Sequence, residues 1–152
     1  MKKPRPKKPR KHRPASHNGG LALLNQCTMA PLDETQLRDL GLAYLGALRG
    51  MATGHGTQQL WGTLACSINV AMVLAENGVR PQGLAVIQQG QDALLRIKAH
   101  AQQSGVWTLG IHAFALDCAF KFHNEQLKEA GRAQIITALA EVHRRVDNGQ
   151  HL

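Results

Sequence analysis

From Asp33 to the C-terminus, apolar residues return every three to four positions, the period of an amphipathic helix. No such return exists over the first twenty residues. The first helix is expected over about Asp33 to Leu48. Asp33 is its N-cap, Gln36 completes a capping pair three residues on, and Gly50 lies past the end. Leu37, Leu40, Tyr44, Leu45 and Leu48 are its inward face. A Gly-rich turn, Met51 to Gly56, leads to Thr57, the cap of a second helix reaching Asn77, with Gly78 as its stop. Leu60, Trp61, Leu64, Ala65, Ile68, Ala71, Met72 and Ala75 form a wide apolar arc on it.

Pro81 suits the first position of a third helix, which runs to about Gln103 and buries Leu84, Ile87, Leu94 and Leu95 before Gly105 ends it. Gly90, in its middle, costs about 1 kcal/mol against alanine, and close approach of a neighbouring helix is the simplest reason for it. Thr108 to Lys128 form a fourth helix, polar only along Asp117, Lys121, Asn124 and Glu125 and therefore expected at the centre of the fold. Gly131 is either a turn or a kink before a last helix over about Ala133 to Val146, with Ile135, Ile136, Leu139, Val142 and Val146 inward. The predicted class is all-α: a compact bundle of four to five helices over residues 21–152, joined by short loops. Residues 1–20 are a disordered basic arm and hinge.

Composition strengthens this reading. Apolar residues make up 43% of the chain and aromatics only 4%, so the core is built mainly from Leu, Ala, Val and Ile, as in packed helices. Charge changes the picture more. Lys2, Lys3, Arg5, Lys7, Lys8, Arg10, Lys11 and Arg13 are eight of the eighteen Lys and Arg, and no acid precedes Asp33. The ten cations that remain face ten Asp and Glu, so the body is formally neutral. Pro4, Pro6, Pro9 and Pro14 interleave with the cations of the arm, a pattern that neither helix nor sheet tolerates. Residues 16–20 act as a hinge, and the apolar piece Leu21 to Leu24 is expected to pack on the body.

A dense run of Lys and Arg neutralises phosphates and releases their counterions. The eight cations are therefore the candidate nucleic-acid-binding residues, without preference for DNA or RNA; the alternative is a solubilising tail. Catalytic candidates are lacking, since no G-x-S-x-G, H-E-x-x-H or P-loop pattern occurs. The glycines 54, 56 and 62 read as connector rather than phosphate loop. His112 and His123 fall on one apolar arc about 20 degrees apart but roughly 16 Å apart along the axis, too far to share a metal. They are read as hydrogen-bonded core or interface residues, in preference to a catalytic or metal role in which His55 or His100 would join them. Trp61 is read as core and Trp107 as a staple at the start of a helix, in preference to stacking platforms for single strands.

Cys27, Cys66 and Cys118 share no C-x-x-C spacing, which suggests reduced thiols in a cytosolic protein, with Cys118 a small buried hydrophobe. No apolar run is long enough to span a bilayer, and Pro-rich sequence stands where a signal peptide would be apolar. No cofactor and no metal are expected.

The segments KPRKHRP (residues 8–14), NVAMVLAENG (69–78), GQDALLRI (90–97) and the element His123, Gln126, Leu127 resemble a group of small, mostly uncharacterised proteins of phages and proteobacterial prophage regions. That resemblance spans most of the chain and assigns no chemistry to individual residues. It implies an accessory role for a phage or mobile element in the bacterial cytoplasm. The expected function is a non-enzymatic nucleic-acid-associated accessory protein that meets DNA or RNA through its arm. The alternative is a phage-encoded module that binds a host protein and modulates a host complex. A homodimer is compatible with either.

Overall fold

The computed structural model describes residues 32–150, and all five predicted helices are there. They are α1 (Glu34–Ala52), α2 (Gln58–Glu76), α3 (Leu84–Ser104), α4 (Ala113–Glu129) and α5 (Arg132–Asp147), with short 3-10 turns at Pro81–Gly83 and Gly110–His112. No strand occurs among the described residues. The protein is an all-α bundle. The arm, the hinge and the apolar piece Leu21 to Leu24 lie outside the described residues.

Capping follows the sequence closely. Asp33 Oδ1 accepts from the Gln36 amide at 2.9 Å, while Gln36 Oε1 accepts from the Asp33 amide at 3.2 Å, a reciprocal box that satisfies two otherwise orphaned donors. Thr57 Oγ1 accepts from the Leu60 amide and starts α2. Gly105, at φ +72, ends α3 in the left-handed conformation that only glycine adopts freely.

The bundle is organised around α2 rather than around the fourth helix as expected. Ten of the nineteen residues of α2 are buried, and it packs against all four other helices. The fourth helix is displaced from the centre because its first turn is not α-helical: residues 106–109 are irregular and a 3-10 turn precedes Ala113. Ile111, in that 3-10 turn, is 93% exposed, and Phe114, on the polar side of α4 with Lys121 and Glu125, is 78% exposed.

Two other expectations change. α1 continues through Gly50 to Ala52, and the face it buries is Gly41, Tyr44, Ala47 and Met51, leaving Leu40 and Leu45 largely exposed. Tyr44 anchors this face by stacking on Phe120 of α4. On the later helices Leu95 and Val146, expected inside, are also exposed.

Gly90 behaves as expected. A Cβ there would stand 2.7 Å from Ala119 Cβ and 3.4 Å from Ile68 Cδ1, so the glycine sets the approach of α3 to α4 and α2. Gly131 is a turn: Ala130 and Gly131 are both extended, and α5 folds back onto α2. Arg145 of α5 clasps Glu76 at the end of α2 as well as Glu141 of its own helix.

Candidate functional site

α1, α2, α4 and α5 do not close completely over one another. Between them lies an open groove of about 620 Å³, walled by Leu40, Ala43 and Tyr44 of α1, by Gly62, Cys66 and Val70 of α2, and by Leu139 and Ile135 of α5. His123 and Leu127 of α4 also line it. No Asp, Glu, Lys or Arg does, and the hydroxyls of Thr63 and Ser67 on its wall donate back to α2 carbonyls. The surface is therefore mainly apolar, with Gln59 at the start of α2 and His123 of α4 as its other polar side chains.

His123 is held by a buried polar network. Gln126, fully buried one helical turn later, donates from Nε2 to the carbonyls of Ala71 (3.2 Å) and Val79 (3.0 Å). Facing two acceptors with its NH2 leaves Oε1 to accept, and it does so from His123 Nδ1 at 3.3 Å. This fixes the tautomer: Nδ1 carries the proton and Nε2 is an acceptor. Nε2 has no partner among the described residues, and it opens on the groove. Burial pushes the His123 pKa down to about 4, against the smaller opposing effect of the Gln126 bond, so the imidazole is neutral at physiological pH.

The remaining side chains are arranged for binding. Tyr44 stacks on Phe120 with ring centroids 4.9 Å apart, and its hydroxyl donates to Asn124. Burial raises the Tyr44 pKa and also raises that of the Cys66 thiol, so neither is predisposed to ionise and attack. An extended apolar ligand with one hydrogen-bond donor would match this groove.

The candidates from sequence fall in different places. Lys2, Lys3, Arg5, Lys7, Lys8, Arg10, Lys11 and Arg13 lie outside the described residues. His112 and His123 are separated: His112 precedes α4 and shares a smaller cleft with His100, Ile97 and Leu109, while His123 lies in the groove. No group of three metal-capable side chains occurs among the described residues. Trp61 is core, donating from Nε1 to the Leu94 carbonyl at 2.9 Å, and Trp107 packs on it with centroids 5.8 Å apart. Gly56 presses against the Trp107 carbonyl, which makes the Gly-rich turn a packing element.

The charge of the body is largely paired. Six of its ten cations, Arg38, Arg80, Lys121, Lys128, Arg144 and Arg145, form ion pairs with acids of the body. Among the described residues, no helix is long and apolar enough to cross a membrane. Comparison with protein-family models, curated proteins and solved structures finds no match for this chain.

Two features escaped the sequence reading. The groove has no linear signature, because four helices distant in sequence supply its walls. The His123–Gln126 pair did have one: two polar residues at i and i+3 share a helix face, and on an apolar arc each must find a partner.

Proposed function

We propose that the protein is a non-enzymatic, nucleic-acid-associated accessory protein whose cationic arm contacts the phosphates of DNA or RNA while the helical body serves as its carrier. Segregation of charge carries this reading. Eight cations fall within the first thirteen residues, whereas the ten cations of the body are balanced by ten acids and six of them are already in ion pairs. A polyanion is thus drawn first to the arm, where cations are densest along the chain. The resemblance of the arm and of three body segments to phage and prophage proteins supports a mobile-element origin and action in the cytoplasm of a bacterial host.

The test is a salt series of binding to duplex DNA, single-stranded DNA and RNA. It uses the full chain and a full-chain variant with all eight arm cations replaced by glutamine. About five phosphate contacts on duplex DNA give a log-log salt slope of about −4 to −5, and the variant should lose that binding. Equal binding by both chains would refute the proposal.

A second reading, a module that binds a host protein, is favoured by the apolar groove and by the exposed Ile111 and Phe114. Under that reading, binding of the target survives neutralisation of the arm.

A further inference from the structure

We propose that the groove is a binding site for a neutral, elongated, mainly hydrocarbon small molecule ending in a hydroxyl group, whose O–H donates to His123 Nε2. The site is built from the helical body, and it does not depend on what the arm binds.

The walls set the body of the ligand. Leu40 of α1, Val70 of α2 and Leu139 of α5 line the groove, and no Asp, Glu, Lys or Arg does, so a run of CH2 groups gains by leaving water there. The volume of about 620 Å³ lies within the range of small-molecule sites, about 300–1,000 Å³. Gln59 and Val70 both line the groove and stand eleven residues apart on α2. The groove therefore runs roughly 16 Å along that helix at helical rise, which calls for an elongated shape.

His123 sets the end group. Its Nδ1 is committed to Gln126, and Gln126 is anchored to the carbonyl of Ala71, the residue after Val70. This places the imidazole toward the Val70 end of the groove, away from the exposed Gln59. The ring is only 3% exposed. A narrow terminal group reaches Nε2 where the broad face of a helix does not, which favours a small molecule over a protein partner.

Nε2 is an acceptor, so the group that meets it must donate. A carboxylate brings the wrong chemistry: burial keeps the ring neutral and no cation lines the groove, so its charge would go uncompensated. A hydroxyl supplies the one donor and carries no charge.

The full chain is titrated at pH 7.5 with three probes: 1-octanol, its isomer heptyl methyl ether, which lacks the donor, and octanoate. 1-Octanol should bind saturably, and at least fivefold more tightly than either of the others, because the ether leaves a buried acceptor unpaired. The 15N NMR signal of His123 Nε2 should move with 1-octanol and stay in place with the ether. Cys66 lines the same groove and is exposed, so its alkylation by N-ethylmaleimide should slow at least fivefold at saturating 1-octanol. These three readouts need no variant. The proposal is overturned by non-saturating uptake, by equal affinity for alcohol and ether, or by tighter binding of octanoate. It is equally overturned if binding leaves the Nε2 signal or the Cys66 rate unchanged, which would put the alcohol elsewhere. Slower alkylation of Cys66 on raising the protein concentration alone would assign the groove to a second copy and overturn it too.

Discussion

Acidification between pH 6.5 and 4.5 should weaken the fold through His123. In the folded protein its imidazole is buried and its pKa is pushed down to about 4; in the unfolded chain it returns to about 6.5. Above pH 6.5 the ring is neutral in both states, and its burial carries no electrostatic penalty. As the pH falls below 6.5, only the unfolded chain takes up the proton, so stability decreases by about 1.4 kcal/mol per unit. Roughly 3 kcal/mol is gone by pH 4, after which this contribution levels off. Glu141 does not confuse the upper part of the window. Hydrogen bonds from Arg144 and then Arg145 hold its pKa down to about 2, against an ordinary 4.5, so its stabilisation is lost only as pH falls below 4.5. Urea unfolding at closely spaced pH values should therefore show a slope in the wild type that is missing in a His123→Leu variant, whatever the variant's absolute stability. NMR should place the His123 titration midpoint near 4. Parallel pH profiles for the two proteins, or a midpoint near 6.5, would refute the reasoning.

Gln126→Leu keeps the volume but strands the Val79 carbonyl and the His123 Nδ1–H, while the Ala71 carbonyl, inside α2, loses only a second donor. At about 1–3 kcal/mol for each unsatisfied group, urea unfolding should register a loss of about 2 kcal/mol or more; a loss under about 1 would show that the network does not hold the fold. Gly62→Ala and Gly90→Ala should act in opposite directions. The first meets open space and should stabilise by about 0.5–1 kcal/mol through helix propensity. The second forces Ala119 away from a 2.7 Å contact and should destabilise by about 1–3 kcal/mol, read from thermal melts of the two variants side by side. Neutralising the arm should leave the melt of the body unchanged, because ion pairs such as Arg145 with Glu76 and Arg80 with Glu125 are made within the described body.

Helix number, order and most boundaries were legible because their signals are local. Asp33 with Gln36, Thr57 before an apolar run, and Gly105 after one each act within a single turn. Facing was less legible on α1, where Leu37, Leu40, Leu42, Tyr44, Leu45 and Leu48 place apolar groups on nearly every side. What decides between those sides is which of them meets a partner helix: Tyr44 stacks on Phe120 of α4, and Ala47 and Met51 lie on the same buried face. Gly50 misled for a related reason. It reads as a stop, yet it lies within α1 where Leu60 packs: a Cβ there would meet Leu60 Cδ1 at 2.7 Å. The stop is Thr53 and Gly54, the latter at φ +82.

The fourth helix shows how a local departure propagates into the site. A continuous helix from Thr108 would put His112 and His123 on one arc. The irregular stretch and 3-10 turn before Ala113 break that phase, so of the two histidines only His123 is fully buried. Its burial is tolerable because Gln126 accepts from its Nδ1–H while donating to Ala71 and Val79. That bond ties α4 to the middle of α2 and to the loop after it. His123 thus keeps one nitrogen for the fold and one for the groove. Any occupant of the groove that donates to Nε2 further stabilises the neutral ring's tautomer without disturbing Gln126, which makes the ring a fixed acceptor for binding rather than a proton carrier.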